Sequence, residues 1–188
     1  MDTLETIAQE IRDCRACALC ESATNPVPGE GPVTARVMFI GEGPGAHEDR
    51  LGRPFVGASG RVLDSLLVRA GLDRTRVFIA NVVKHRPPDN RDPLPAEVDA
   101  CLPFLRRQIR LIKPRVVVPL GRHAAARWIP DVRITQVHGV PHIVKNVVVI
   151  PMLHPATALY QPSNRAILEA DFVALGEYIN THFPDATV

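Results

Sequence analysis

A parallel α/β sheet covered by helices on both faces is the fold that this 188-residue sequence predicts. Four short apolar runs at 37–40, 77–79, 116–120 and 147–150 have the length and β-branched content of buried strands. Helix-like segments separate them, the alternation expected of βαβ units. Glu42, Asn81, Gly121 and His154 stand just beyond the ends of these runs. Open α/β folds place their chemistry in the crevice outside the carboxyl ends of the strands, so these positions are expected to share one site.

The elements follow in order. Leu4, Ile7, Ala8 and Ile11 give an amphipathic helix before a cysteine-rich turn, and the proline- and glycine-rich stretch 25–32 is a connector. After the first strand, Ser59 is the expected cap of a helix that buries Val62, Leu63, Leu66 and Leu67 and stops at Gly71. Pro95 opens a second helix, with Leu102, Leu105 and Ile109 on its apolar face. A short helix is expected from Gly121 to Trp128 and the last over 163–179, while 132–144 reads as a hairpin or edge strand.

The length fits one domain spanning 1–188, and 46% apolar residues suffice for its core. Apolar stretches fall short of the roughly 20 residues that cross a bilayer, and the N-terminus lacks a basic-then-apolar leader, so a cytoplasmic protein without membrane contact is expected. A net charge of +2 does not by itself identify a nucleic-acid binder. Basic residues nevertheless group locally at 106–115 and around the proline-rich loop that carries Lys84, Arg86 and Arg91.

Cysteines stand at 14, 17, 20 and 101, the first three spaced C-x2-C-x2-C. Thiolates at that spacing converge on a metal, with Cys101 closing the site at long range; spacing alone leaves zinc and an iron-sulfur cluster both open. His85 is a further candidate, which makes either it or Cys20 surplus to four ligands. The N-terminal segment 14–20 is thus a metal-binding segment.

The loop Gly41-Glu42-Gly43-Pro44-Gly45 lacks the Gly-Lys-Ser/Thr ending of a triphosphate-binding loop, and Pro44 stands where a dinucleotide fingerprint would enter its helix. Gly41 and Gly43 allow backbone N–H groups to approach a base or phosphate. Phe55, within Gly52-Arg-Pro-Phe-Val-Gly57, is placed to stack on a planar ligand.

Together with Asn81-Val-Val-Lys84, Arg86-Pro-Pro88 with Asn90-Arg91, and His154-Pro-Ala156, these segments resemble the successive motifs of the iron-sulfur uracil-DNA glycosylases, family 4. The likeness runs from about Cys14 to the final helix. It implies a three-layer α/β/α domain with a four-stranded parallel sheet, an enzyme that initiates base excision repair by releasing uracil from DNA, and a [4Fe-4S] cluster. Carried over position by position, the cluster ligands are Cys14, Cys17, His85 and Cys101, with Cys20 as the alternative to His85. The family generally has cysteine where this chain has His85. A related covalent-adduct-forming branch shares the Lys-His pair but carries a basic insert for which the loop 86–92 has no room, so turnover is expected.

On that resemblance Asn81 reads the edge of an extruded uracil, donating to O4 and accepting from N3–H, the inverse of what cytosine offers. Phe55 stacks on the ring beside Gly41 and Gly43, His154 donates to O2 as negative charge develops there, and Glu42 orients the water. Glu48 and Asp49 are read as loop anchors or helix-start acids. Lys84, Arg86, Arg91 and Arg122 are the expected contacts to the phosphates of single- or double-stranded DNA, with Leu159 and Tyr160 as wedge candidates. The expected state is a monomer. Two rivals are a non-catalytic DNA-binding or polymerase-associated module of the same fold, and a nucleotide-binding enzyme.

Overall fold

The computed structural model describes residues 2–131 and 133–184. Helix α1 (Leu4–Arg12) is capped by Thr3, whose hydroxyl accepts from the Thr6 N–H, and a short α2 (Leu19–Ser22) follows the cysteine turn. Strand β1 (Val37–Gly41) leads through α3 (Ala46–Leu51) and α4 (Ala58–Arg69) to β2 (Phe78–Asn81). Helix α5 (Pro95–Ile112) then returns the chain to β3 (Val116–Pro119). One-turn helices α6 (Arg122–Ala125) and α7 (Ile134–Val137) precede β4 (His142–Val144) and β5 (Val147–Val149); α8 (Thr157–Tyr160) and α9 (Pro162–His182) end the chain.

The sheet order is β2-β1-β3-β5-β4, and every pairing is parallel except β4 with β5. The expected four parallel strands are therefore the core of a mixed, five-stranded sheet. The extra strand comes from the irregular stretch before β5, of which Val132 lies outside the described residues. Lys145 and Asn146 both have positive φ, 48° and 67°, the geometry of a two-residue hairpin turn that sends β5 back along β4. Two smaller expectations also change. Gly57, not Ser59, stands at the N-cap of α4 and makes no side-chain cap, and regular helix after Gly121 ends at Ala125.

Alternation along β1 builds two cores from one strand. Val37 and Phe39 face α4 and α9, packing with Leu63, Leu66, Leu168 and Phe172, and the Phe39 and Phe172 rings stack with centroids 6.0 Å apart. Met38 and Ile40 face the opposite layer, with Cys101, Leu105 and Ile112 of α5. A sheet buried on both faces requires strands apolar at every position, and β1 to β3 are buried throughout. Helix α1 packs on α5, where Arg107 is paired with Asp2 and Glu10. Part of the basic group at 106–115 is therefore spent holding the N-terminal helix.

The connector covers the outer edge of β2, with Glu30 and Ile79 exchanging both backbone hydrogen bonds. The chain moves outward in opposite directions from β1 and β3, so the ends of these two strands form the switch point of the sheet.

Candidate active site

A cleft of about 360 Å³ opens at that switch point, lined by Glu42, Phe55, Asn81, Tyr160 and His154 among others. Its size lies within the range of roughly 300–1,000 Å³ usual for small-ligand sites. Another depression, of about 450 Å³, lies against α1 and is walled by Leu4, Ala8, Pro28 and Phe78. It sits at the start of β2 and not at its end.

Asn81 closes β2 directly opposite Gly41 of β1 and is 1% exposed. Its Oδ1 is buried without a hydrogen-bond partner among the described residues. A buried amide oxygen left without a donor costs about 1–3 kcal/mol, so this atom is one that a ligand N–H would satisfy. Gly41 makes the arrangement possible: a Cβ there would stand 2.3 Å from Oδ1 and 2.8 Å from two Phe55 ring carbons.

Phe55 adopts a left-handed backbone, φ 49°, an unfavourable conformation for an aromatic residue. The loop is held by Glu48, whose Oε1 accepts the N–H groups of Val56 and Gly57, both at 2.8 Å. Arg74 donates to the Pro54 carbonyl, and Gly60 lies so close that a Cβ would meet the Phe55 carbonyl oxygen at 2.0 Å. The Phe55 ring is thereby set 5.8 Å from the His154 ring, at a 30° tilt. Asp49, the second acid of this helix start, accepts the N–H groups of Thr24 and Asn25 and ties down the connector.

His154 follows β5 on a turn closed by Thr157, whose N–H and hydroxyl both reach the His154 carbonyl. The Ala156 N–H donates to Nδ1 at 3.1 Å, which places the ring proton of the neutral imidazole on Nε2. Burial pushes its pKa down to about 4, against a smaller upward pull from Glu48. The side chain is therefore a neutral donor at physiological pH, set among groups that line the cleft.

Glu42 presents a half-buried carboxylate whose Oε1 has no partner among the described residues. Burial raises its pKa; His123 and Arg122 pull it down and Asp92 pushes it up. Glu42, Asp92 and His123 each offer a ligand atom within 4.8 Å of the others. Motif reading passed over Asp92, in the loop before α5, and took His123, in α6 just after β3, only as a neighbour of Arg122 near a DNA phosphate.

The expected DNA-contacting residues differ in fate. Lys84 is corrected: it is 1% exposed, with Nζ donating to the Asn81 carbonyl and to Gln108 Oε1, so it cannot reach a phosphate. Burial brings its pKa down to about 7. Arg91 is engaged in a two-pronged pair with Glu97, at 2.9 and 2.7 Å, and Glu97 also accepts the Leu94 N–H at the start of α5. Arg86 donates to Asn90, and exposed Arg122 lies 3.2 Å from Asp92. Leu159 and Tyr160 are exposed on α8, and Tyr160 lines the cleft.

All four cysteines are free thiols. Burial raises the pKa of Cys17 and Cys101; Cys17 and Cys14 also push Cys101 up, and Cys14 and Cys20 push Cys17 up. His85 is 4% exposed, is kept neutral by burial and by Arg15, and makes no ring hydrogen bond with a described residue. Cys14, Cys17 and Cys101 act on one another and His85 is buried on the loop after β2, and thiolates with an imidazole are donors of the chemistry that suits a metal centre.

The family profile of the Uracil DNA glycosylase superfamily matches residues 28–176. The chain is 46% identical over 187 residues to a type-4 uracil-DNA glycosylase of Sulfurisphaera tokodaii, covering 94% of this chain and 85% of that protein. It is 45% identical to one from Archaeoglobus fulgidus, over 94% of each chain, and 44% identical to one from Thermotoga maritima, over 89% of this chain and 91% of that one. A type-5 uracil-DNA glycosylase of Thermus thermophilus matches 53% of the chain at 41% identity.

Proposed function

This chain belongs to the uracil DNA glycosylase superfamily and within it to the type-4 group, and from that premise we propose that it hydrolyses the N-glycosidic bond of an extruded deoxyuridine in DNA, releasing uracil and leaving an abasic site. The observation that carries this reading is the unpartnered Asn81 Oδ1 buried beside the Phe55 ring. A flipped pyrimidine stacked on Phe55 brings a donor to that oxygen only if its N3 carries hydrogen, which uracil has and cytosine lacks. The Asn81 amide N–H₂ then donates to O4.

As the glycosidic bond breaks, electron density moves onto the base and the sugar becomes cation-like. The His154 Nε2–H donates to O2 without transferring its proton, and a preorganised neutral donor of this kind is worth roughly 3–4 kcal/mol in the transition state. Glu42, through the oxygen left free of protein partners, orients water toward the anomeric carbon and stabilises the positive sugar. Arg86, Arg91 and Arg122 would meet backbone phosphates, Arg91 from the cleft wall where Glu97 holds it, and Tyr160 with Leu159 would fill the gap left by the base.

Cys14, Cys17, His85 and Cys101 would hold a [4Fe-4S] cluster, with Cys20 as the alternative to His85. Such a centre would stabilise the fold by tying the N-terminal turn to α5 and to the loop after β2. Lys84, between Asn81 and His85 in sequence, braces the Asn81 carbonyl on the same loop.

A non-catalytic DNA-binding module would use the surface arginines but would have no need of a buried acceptor facing an aromatic ring. The deciding experiment measures uracil release from single- and double-stranded oligonucleotides by wild type and Asn81→Asp. Wild type should release uracil and spare cytosine, and the variant should lose that preference. Absence of uracil release by the wild-type protein, or an unchanged preference in the variant, would reject the assignment.

A further inference from the structure

We propose that His123, seated on Asp92, is the positioning residue that holds Glu42 in its charged form and directs its second oxygen into the cleft. The inference rests on the reading of Glu42 as the water-orienting carboxylate.

Glu42 forms part of the wall between two cavities. On one side is the cleft, also lined by Glu48, Arg91 and His154; on the other is a cavity of about 350 Å³ lined by Asp92, Asp99, His123 and Arg127. Oε2 lies 4.0 Å from His123 Nε2, and Oε1 is buried without a partner among the described residues. The same His123 nitrogen lies 3.0 Å from Asp92 Oδ2. The charged groups acting on Glu42 are His123 and Arg122 from α6, and Asp92 from the loop before α5.

That loop creates an electrostatic difficulty. Two carboxylates near each other, one of them half-buried, favour a shared proton, and a protonated Glu42 could neither orient water by accepting its hydrogen nor stabilise a cationic sugar. The pull of His123 opposes that tendency, lowering the Glu42 pKa against burial and Asp92, which together still leave it raised. The geometry gives His123 a partner in either state: the neutral Nε2 accepts from Arg122 Nε at 2.9 Å, and the protonated one donates to Asp92. Arg122 also reaches Asp92 at 3.2 Å, so the carboxylate that holds the ring is itself held.

The test is the pH profile of single-turnover uracil release over about pH 5 to 8, with His123→Gln, His123→Lys and Glu42→Gln beside wild type, each checked for unchanged thermal unfolding. Wild-type rates should fall on the acid side as Glu42 takes up a proton. Losing a cation about 4 Å away should move that limb upward in pH by about 0.5–1 unit in His123→Gln, slowing it about three- to tenfold on the acid side and little on the plateau. A permanent cation in His123→Lys should return the limb to the wild-type position or below it. Coincident limbs in wild type and His123→Gln would overturn the inference. So would a loss equal at every pH that lysine does not repair, because that would mark His123 as structural. Glu42→Gln separates the two levels: if it keeps wild-type rate and limb, the role given to Glu42 itself has failed.

Discussion

Gly41→Ala adds a single methyl group to the floor of the cleft, and the structure says what it meets. The new Cβ would lie 2.3 Å from Asn81 Oδ1 and 2.8 Å from Phe55 Cε2 and Cζ, so both recognition groups must move. Loss of base stacking costs about 1–3 kcal/mol and loss of the hydrogen bond to Oδ1 about 0.5–1.5 kcal/mol. Together they amount to about 1.5–4.5 kcal/mol, or roughly a ten- to thousandfold loss of kcat/KM at 1.4 kcal/mol per factor of ten. The fold should suffer less. Gly41 pairs in register with Asn81 in a parallel ladder, and alanine fits a strand backbone better than glycine does. Crowding of about 1–3 kcal/mol would lower Tm by roughly 2–12 °C. Single-turnover cleavage of a uracil-containing oligonucleotide, read beside Tm, tests this directly. Cleavage within about threefold of wild type by a folded variant would show that Asn81 and Phe55 do not define the base pocket.

Other outcomes follow from the same geometry. His154→Ala should lower the single-turnover rate by about 10²–10³-fold while changing DNA affinity little, since its donor acts on charge that develops only during bond cleavage; equal losses in binding and rate would count against that role. His154 also predicts a pH effect on stability. Its folded pKa, about 4, lies below the unfolded value near 6.5, so protons bind the unfolded chain more tightly. The stabilisation is complete above about pH 6.5 and is lost as pH falls through 4, on the order of 3 kcal/mol. Urea unfolding of wild type should show a steeper acid decline over that window than His154→Asn, and parallel curves would refute it. For the cluster, His85→Cys adds a negative charge at the iron and should lower the reduction potential and alter visible absorption; an unchanged spectrum and potential would leave Cys20 as the ligand.

The strands were legible because a sheet covered on both faces leaves no polar positions in its strands, and β1 to β3 and β5 appear as unbroken apolar runs. The fifth strand showed only as the hairpin or edge strand expected somewhere within 132–144, because Ile143 faces solvent on a short edge and its pairing depends on positive φ at Lys145 and Asn146, neither of them glycine. Placement at strand ends brought out Glu42, Asn81 and His154, which do line one cleft. Lys84 misled because charge in a loop reads as solvent-facing, whereas here the chain turns inward and its ammonium finds the Asn81 carbonyl and Gln108, 24 residues away.

By itself the sequence determined the alternation of strand and helix, the motifs that mark the family, and which residue types stand at the carboxyl ends of the strands. These follow from local periodicity and from the order of residues along the chain. Only the tertiary structure decided that Asn81 Oδ1 is left without a donor among the described residues, that Glu48 holds Phe55 in a left-handed turn, that the His154 proton sits on Nε2, and that Asp92 and His123 flank Glu42. Each of these depends on atoms from segments far apart in the chain meeting within a few ångströms. Hydrogen bonding, burial and charge act across space and not along the sequence.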